Sequence, residues 1–273
     1  EGAVWSNCLS CFCPLCLEQF ARQHQLAAIP TPEQLQNTHE QQWVAWMNQK
    51  MADYTVLLRD GVKSARPDVV FSVYTGYHGE DTKRRYGVDW EMLRGKIDLG
   101  MCGYGYNAKL LQATKDALAP TPMANGVILH PYTSKITTYP TSWSQAEILQ
   151  HLLVGRVGLL FYDYPSMDGR SFYNIGEITR LAADFEELIL KGQRVEAEFP
   201  LLKGPGGDNY QALRHGRQTM LMLMNRGRQA VPYQLDAAAA PLAGKTLRDY
   251  YTGQVGAITG EVAPGGVRVL LVQ

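Results

Sequence analysis

Four short apolar runs alternate with helix-like stretches, and this alternation constrains the fold more than any other feature of the chain. The runs cover residues 69–74, 97–103, 126–130 and 157–163, and a long helical stretch follows over 175–192. Short continuous apolar runs are typical of strands covered on both faces, and strands that alternate with helices form right-handed βαβ units of a parallel sheet. An open doubly wound sheet and a closed barrel both satisfy this pattern. Residues 1–192 hold about half the units of a whole (β/α)8 barrel.

The stretch before the first run predicts one long helix from Pro32 to about Ser64. Its apolar residues recur at three- and four-residue steps, which is the spacing of one helix face. They are Trp43, Trp46, Met47, Met51, Tyr54, Leu57, Leu58 and Val62. We expect this stripe to be a packing face.

The chain changes character after Gly192. Short strand-like segments cover 196–201, 219–224, 231–235, 246–250 and 267–272, with glycine-rich turns between them. Such segments are typical of antiparallel sheets. We therefore predict two domains, a partial barrel over 1–192 and a small antiparallel β-sandwich over 193–273.

Four of the five cysteines lie in one run with the spacing C-x2-C-x-C-x2-C. They are Cys8, Cys11, Cys13 and Cys16. Thiolates this close together can converge on one zinc ion, which takes four of them in a tetrahedron. The spacing predicts a structural zinc site, with local disulfides and reduced buried thiols as the alternatives. The fifth cysteine, Cys102, lies alone on a predicted strand and is expected in the core.

Aromatic and polar side chains follow each of the four predicted strands. These are Tyr74, Tyr77, His78 and Glu80 after the first, Tyr104 and Tyr106 after the second, His130 and Tyr132 after the third, and Tyr164 and Asp168 after the fourth. Ligands of parallel α/β folds bind beyond the carboxyl ends of the strands. Aromatic faces stack on sugar rings, and hydroxyl, imidazole and carboxylate groups bind sugar hydroxyls. The set therefore predicts a carbohydrate-binding face, although any single tyrosine could merely cap the barrel.

The charge balance favours a neutral partner. The chain has 26 Lys and Arg and 26 Asp and Glu, a formal net charge of zero, so no strong field attracts nucleic acid or an anionic membrane. Its longest apolar stretches are too short to cross a bilayer, and we expect a soluble protein. A targeting region would precede Glu1, so the sequence leaves the compartment open.

The cysteine run carries a resemblance to a known family. Residues 11–20, Cys-Phe-Cys-Pro-Leu-Cys-Leu-Glu-Gln-Phe, resemble the C-x-C-P-x-C-x3-F loop of family 42 glycoside hydrolases, the β-galactosidases of clan A. Residues 155–163 are similar to the eighth barrel strand of these enzymes, and 223–271 to their C-terminal β-domains. The resemblance implies barrel strands five to eight, a β-domain, zinc in the cysteine loop, and β-galactosidase-like hydrolysis of a neutral oligo- or polysaccharide.

Glycoside hydrolysis requires a proton donor and a second carboxylate. The resemblance implies that Glu1 lies near the end of the fourth strand, where the clan has its general acid/base. Asp163 follows the fourth apolar run and is predicted to stabilise charge or act as base. The clan has its nucleophile after the seventh strand, but that strand here ends in His130-Pro131-Tyr132 without a carboxylate.

That departure keeps a second hypothesis open, a non-catalytic carbohydrate-binding or scaffold protein derived from a glycoside hydrolase barrel. A half-barrel also has unpaired sheet edges, which favour pairing with another chain. We therefore expect the isolated half-barrel to form a homo-oligomer.

Overall fold

The computed structural model describes residues 11–103, 107–128, 141–162 and 167–273. Its described residues form two compact units. The first comprises 11–103 and 109–124, and the second comprises 107–108 and the described residues from 125 to 273.

The first unit consists mainly of helices around short strands. Its elements are α1 (Pro14–Gln23), α2 (Pro32–Thr38), α3 (Glu40–Ala65), β1 (Ser72–Thr75), α4 (Glu80–Tyr86), α5 (Trp90–Leu93), β2 (Leu99–Cys102), α6 (Ala108–Leu118) and the start of β3 (Met123–Ile128). β1 and β2 are parallel, in register from Ser72 opposite Leu99 to Thr75 opposite Cys102. Cys102 is fully buried, which confirms it as a core residue, and burial raises the pKa of its thiol to about 12.

Two helices replace the single helix that we predicted from Pro32 to Ser64. Thr31 and Gln34 form a capping box in which each side chain accepts a hydrogen bond from the other's backbone N–H, so α2 begins firmly at Pro32. His39 separates α2 from α3 with a non-helical backbone (φ −123°, ψ 17°). The predicted stripe begins only at Trp43, after His39, so the periodicity gave no information about the break.

The predicted apolar stripe on α3 is buried only in its first half. Trp43 and Trp46 pack with Phe20 and Leu35 in one aromatic cluster. The other half of the stripe is exposed in the structure, at Tyr54, Leu57, Leu58 and Val62. The prediction of a packing face is therefore wrong for the second half of α3.

The second unit begins within β3. It continues with α7 (Thr141–Gly155), β4 (Leu159–Tyr162), α8 (Gly169–Asp184) and α9 (Glu186–Lys191). β3 and β4 are parallel, with Asn125 opposite Leu159 and Ile128 opposite Tyr162, and the strand order is β1-β2-β3-β4. The four apolar runs therefore form the parallel sheet that the sequence predicts. Its identity as half of a closed barrel stays a prediction.

Antiparallel strands follow from Gln193. They are β5 (Gln193–Arg194), β6 (Leu201–Lys203), β7 (Tyr210–His215), β8 (Gln218–Met224), β9 (Val231–Leu235), β10 (Leu247–Asp249), β11 (Thr259–Val262) and β12 (Val267–Val272). One sheet has the order β10-β12-β8-β7-β5 and the other the order β11-β9-β6. The described sequence thus changes from parallel to antiparallel pairing next to Gly192. The assignment of 1–192 and 193–273 as separate domains stays a prediction.

Strand β8 shows how the five-stranded sheet is buried on both faces. Met220, Met222 and Met224 pack with residues of α7, α8 and α9. Leu221 and Leu223 alternate with them and pack towards the three-stranded sheet. Because side chains alternate between the two faces of a strand, one continuous apolar run supplies both cores. Among the helices of the described residues, none is both long and apolar enough to cross a membrane.

Candidate functional site

Three thiols converge just before and within the first turn of α1. The sulfur atoms of Cys11, Cys13 and Cys16 all lie within 4.8 Å of one another, and none of the three forms a disulfide in the structure. Cys13 is the N-cap of α1, and Pro14 at the first helical position fixes the turn. Sulfur ligands of a tetrahedral zinc ion are roughly 3.8 Å apart, since each Zn–S bond is about 2.3 Å. The spacing of the three thiols is therefore compatible with such an ion.

Two of these thiols have shifted proton affinities. The backbone N–H of Cys16 hydrogen-bonds the Cys13 sulfur and, with the neighbouring thiols, lowers the pKa of Cys13. Burial raises the pKa of Cys16 to about 12, and the hydrogen bond and charge of Cys13 add to that rise. Of these two thiols, Cys13 is the more readily converted to the thiolate that binds metal.

An aromatic side chain that follows β1 packs against the residue that follows β2. Tyr77 lies against Gly103, and a Cβ added to Gly103 would be 2.2 Å from the Tyr77 ring. Gly103 also has a φ of +75°, which favours glycine, and its N–H donates to the Thr75 carbonyl at 3.1 Å. Tyr74, on the strand itself, is exposed. Gly103 is therefore what allows the Tyr77 ring to lie at this strand end, and our reading of the sequence did not single it out.

His78 and Glu80 join a charged network beyond β1. The backbone N–H of His78 donates to the Thr114 hydroxyl at 2.8 Å, and His78 Nδ1 lies 3.9 Å from Asp89 Oδ1. Lys83 Nζ lies 3.1 Å from Asp89 Oδ2 and 3.6 Å from Glu80 Oε1. The Glu80 side chain is 89% exposed, so the network opens to solvent at that end.

Lys83 is the cation of this network. Burial lowers the pKa of its ammonium group, but the hydrogen bond and charge of Asp89 and the charge of Glu80 outweigh that effect and raise it overall. Sequence reasoning missed both Lys83 and Asp89. Asp89 was open to detection, since an aspartate immediately before the apolar start of a helix is an N-cap signal, and its side chain does accept from the Glu91 N–H.

Asp168 is the N-cap of α8. Its Oδ1 accepts from the Ser171 N–H at 2.8 Å and from the Ser171 hydroxyl at 3.0 Å. The hydrogen bond from the Ser171 N–H has the largest effect on the Asp168 carboxyl and lowers its pKa. The hydrogen bond from the Ser171 hydroxyl lowers that pKa further. The contact accounts for an aspartate at this position, and its role in substrate binding stays a prediction.

The structure therefore brings Tyr77, His78 and Glu80 to one strand end and clusters three cysteines. Tyr74 and Asp168 are described but are not brought to that group. The remaining predicted site residues lie outside the described residues: Glu1, Cys8, Tyr104, Tyr106, His130, Tyr132, Asp163 and Tyr164.

Comparisons with known proteins identify the fold class. No family model matches the sequence, and no curated protein matches it. An Anoxybacillus α-amylase, described as a new glycosyl hydrolase subclass, is similar in structure with a TM-score of 0.52 and 14% identity. The similarity covers 81% of this chain and 56% of that one. The fold of the chain is thus similar to part of that glycosyl hydrolase, and the chain spans little more than half the length of that enzyme.

Two further structures are more distant. A noncanonical maltogenic α-amylase from Thermotoga neapolitana has a TM-score of 0.49 at 9% identity, covering 81% of this chain and 58% of its own. AmyP in complex with maltose has a TM-score of 0.45 at 10% identity, and the similarity covers 81% of this chain and 61% of AmyP. At these identities the likeness concerns the fold alone. It does not support membership of family 42 specifically.

Proposed function

We propose that the chain is the C-terminal half of a (β/α)8 barrel followed by a β-sandwich, and that it belongs to a glycoside hydrolase for a neutral oligo- or polysaccharide. The observation that carries the proposal is the group of Tyr77, His78 and Glu80 directly beyond β1, where parallel α/β folds bind ligands. The open edges of a half-barrel add the expectation of self-association, through β1 and β4 in the described sheet.

The chemistry of this strand end suits a sugar. The Tyr77 ring offers an aromatic face, and the His78–Asp89–Lys83 network offers donors and acceptors whose charges largely cancel. A neutral polyhydroxyl ligand can use both kinds of group, whereas an anion would have to compete with Asp89 for Lys83. A β-galactosidase-like specificity is a finer proposal, which rests on the likeness of the cysteine loop to family 42.

The proposed catalytic pair is Glu1 as proton donor and Asp163 as charge stabiliser or base. The donor must stay protonated near neutrality, so its pKa has to be raised, as burial would do. In the sequence, Asp163 is the residue directly after Tyr162, with which β4 ends. Glu80 is the next acidic candidate.

A non-catalytic carbohydrate-binding or scaffold protein is the second candidate. The segment His130-Pro131-Tyr132 favours it, because no carboxylate stands where clan A enzymes have their nucleophile. This hypothesis explains the aromatic residues equally well and needs no acid pair.

A hydrolysis assay separates the two. We expect the full-length natural protein to release nitrophenol from at least one neutral aryl glycoside, with turnover in the usual enzyme range of about 1 to 10³ s⁻¹. Release from the β-galactoside tests the finer proposal. If the protein is retarded in gels that contain neutral polysaccharide but releases nitrophenol from no glycoside, it is the binding protein instead. Neither release nor retardation would refute both.

We also propose that Cys11, Cys13 and Cys16, together with Cys8, hold one structural zinc ion. Bound zinc would cross-link the segment before α1 and exclude disulfide formation among its ligands. The mutual distances of the three described sulfurs and the lowered pKa of Cys13 support this proposal.

Protein purified without chelator is expected to contain about one equivalent of zinc by elemental analysis. A Cys13→Ser variant should lose most of it, because serine removes one of the ligands, whose lowered pKa favours the metal-binding thiolate. Cys102→Ala is the matched control, since Cys102 is buried on β2 and should leave the zinc content unchanged. Wild-type protein with less than about one-tenth equivalent of zinc, and with freely titrating thiols, would eliminate the site.

A further inference from the structure

Two of the three clustered thiols are the ends of a C-x-x-C segment at the start of α1. Cys13 is the N-cap residue, and Cys16 lies three residues later in the first turn. Residues three apart on a helix are neighbours, with Cβ atoms roughly 5 to 6 Å apart. A disulfide requires a Cβ–Cβ distance of about 3.5 to 4.5 Å, so a small local adjustment would join the two sulfurs. A C-x-x-C segment is also the arrangement of dithiols that exchange with disulfides.

Packing holds this segment in place on both sides of Cys13. Phe12 stacks on Trp43, with ring centroids 5.7 Å apart, and Cys16 packs against the same aromatic cluster. The sulfur atoms of Cys13 and Cys16 lie within 4.8 Å of each other, and both thiols are reduced in the structure. The folded chain therefore holds a thiol pair close to the geometry of a disulfide.

Small reagents can reach the cysteine cluster. Cys11 is exposed, and Cys13 and Cys16 are only partly buried. Cys102 differs from them, because it is fully buried on β2. Exposure is one of the factors that decide which thiols are oxidised. An oxidant of low molecular weight is therefore expected to react in the cluster and to leave Cys102 unchanged.

We propose that Cys13 and Cys16 form a reversible disulfide when the chain reacts with a disulfide of a small thiol, such as oxidised glutathione. One thiolate of the pair attacks a sulfur of the reagent, expels one thiolate and forms a mixed disulfide. The other thiolate then attacks the protein sulfur of that mixed disulfide and expels the second thiolate of the reagent. The protein thus loses two electrons and two protons, and the reagent is reduced to two thiols.

This disulfide and a bound zinc ion exclude each other. Zinc binds thiolates, and a bond between Cys13 and Cys16 removes two of the four ligands that we propose for the metal. Oxidation is therefore expected to release the zinc ion, and reduction is expected to restore the site. The disulfide depends only on the described thiol pair, whereas the release of zinc rests on the proposed metal site.

Mass spectrometry tests the disulfide. The chain is freed of metal with chelator and incubated with oxidised glutathione, its remaining thiols are alkylated, and the linked residues are identified by fragmentation. We expect wild type to lose the mass of two hydrogen atoms through a bond between Cys13 and Cys16, and dithiothreitol to reverse the change. No disulfide in the folded chain, or one that joins a different pair, would overturn the proposal. Equally fast formation in concentrated urea would also overturn it, because the fold would then contribute nothing.

Two serine variants test the role of each thiol. Cys16→Ser removes one partner of the bond, so the reaction should stop at the mixed disulfide and add the mass of one glutathione unit at Cys13. Cys11→Ser is the matched control, because it removes an exposed thiol of the same cluster that the proposed bond does not use. This control should form the disulfide as wild type does. Loss of the disulfide in Cys11→Ser would contradict the assignment of the pair.

Zinc content is followed in a separate sample that is loaded with zinc before oxidation. We expect the metal to be released in step with formation of the disulfide. A chain that forms the disulfide but never binds zinc would confirm the thiol pair and refute only the metal site. A zinc-loaded chain that forms the disulfide and keeps its metal would refute the exclusion of one state by the other.

Discussion

An Asp163→Asn variant of the full-length natural protein is expected to lose about 10²- to 10⁴-fold in kcat on an aryl glycoside. Asparagine keeps the shape of the side chain and removes the charge that would stabilise the oxocarbenium-like transition state or accept a proton. The effect should appear in kcat and in kcat/KM, because a charge that acts in the transition state contributes little to ground-state binding.

The control for this variant is Asp116→Asn, which removes one carboxylate from an exposed position on α6. It should leave both kinetic constants unchanged, and the circular dichroism of both variants should match that of wild type. Unchanged kcat and kcat/KM in Asp163→Asn would eliminate Asp163 from catalysis and leave Glu80 as the next candidate. The 89% exposure of Glu80 makes it a weaker one, since water competes with a substrate for the oxygens of a solvated carboxylate.

Parallel pairing was predictable because strands buried on both faces have a recognisable composition. Met123 to Val127 of β3 is buried at every position, but the predicted run began only at Gly126, because the polar Asn125 interrupts the apolar sequence before it. The helix boundaries were less predictable. The break at His39 depends on the backbone conformation of a single residue, and hydrophobic periodicity carries no information about it. The exposed second half of α3 likewise depends on tertiary packing, which periodicity does not record.

Some residues of the candidate site could likewise be predicted from the sequence, and others could not. Tyr77, His78 and Glu80 could be found from the sequence because they follow a strand, and every strand of a parallel sheet ends at the same edge. Lys83 and Asp89 could not be found together, since they come from separate helical segments whose contact exists only in the folded chain. The helix-capping role of Asp168 was readable in principle, because an aspartate three residues before a serine at a helix start is a familiar N-cap arrangement.

Two buried ionisable groups on α7 lead to a further prediction, which concerns stability. Glu147 and His151 lie one turn apart on α7, with the His151 Nε2 3.9 Å from the Glu147 Oε1. Burial raises the pKa of Glu147 to about 7, although the charge of Arg226 opposes the rise. Burial, assisted by Arg226, lowers the pKa of His151 to about 3. Near pH 5 to 6 the folded chain therefore holds both groups neutral.

The sign of the Glu147 effect follows from proton counting. Its pKa is about 7 in the folded chain and near the ordinary 4.5 in the unfolded chain, so the folded chain binds more protons between these values. The stability that Glu147 contributes is complete below pH 4.5 and is lost as the pH rises through 7. His151 acts in the opposite direction, because its pKa is lower in the folded chain than in the unfolded chain. The stability that His151 contributes is therefore lost as the pH falls from 6.5 towards 3.

A Glu147→Gln variant is therefore expected to be more stable than wild type at pH 8 by about 2 to 3 kcal/mol, and to differ little at pH 4.5. Glutamine keeps the size of the side chain but has no charge to bury, so the cost that wild type incurs above pH 7 disappears. Urea denaturation at the two pH values measures the difference as a rise in midpoint at unchanged m. Glu261→Gln is the matched control, because Glu261 is exposed on β11 and the change should alter stability by no more than about 0.5 kcal/mol at either pH. Equal midpoints for Glu147→Gln and wild type at pH 8 would show that Glu147 is not buried as a charge in the folded chain.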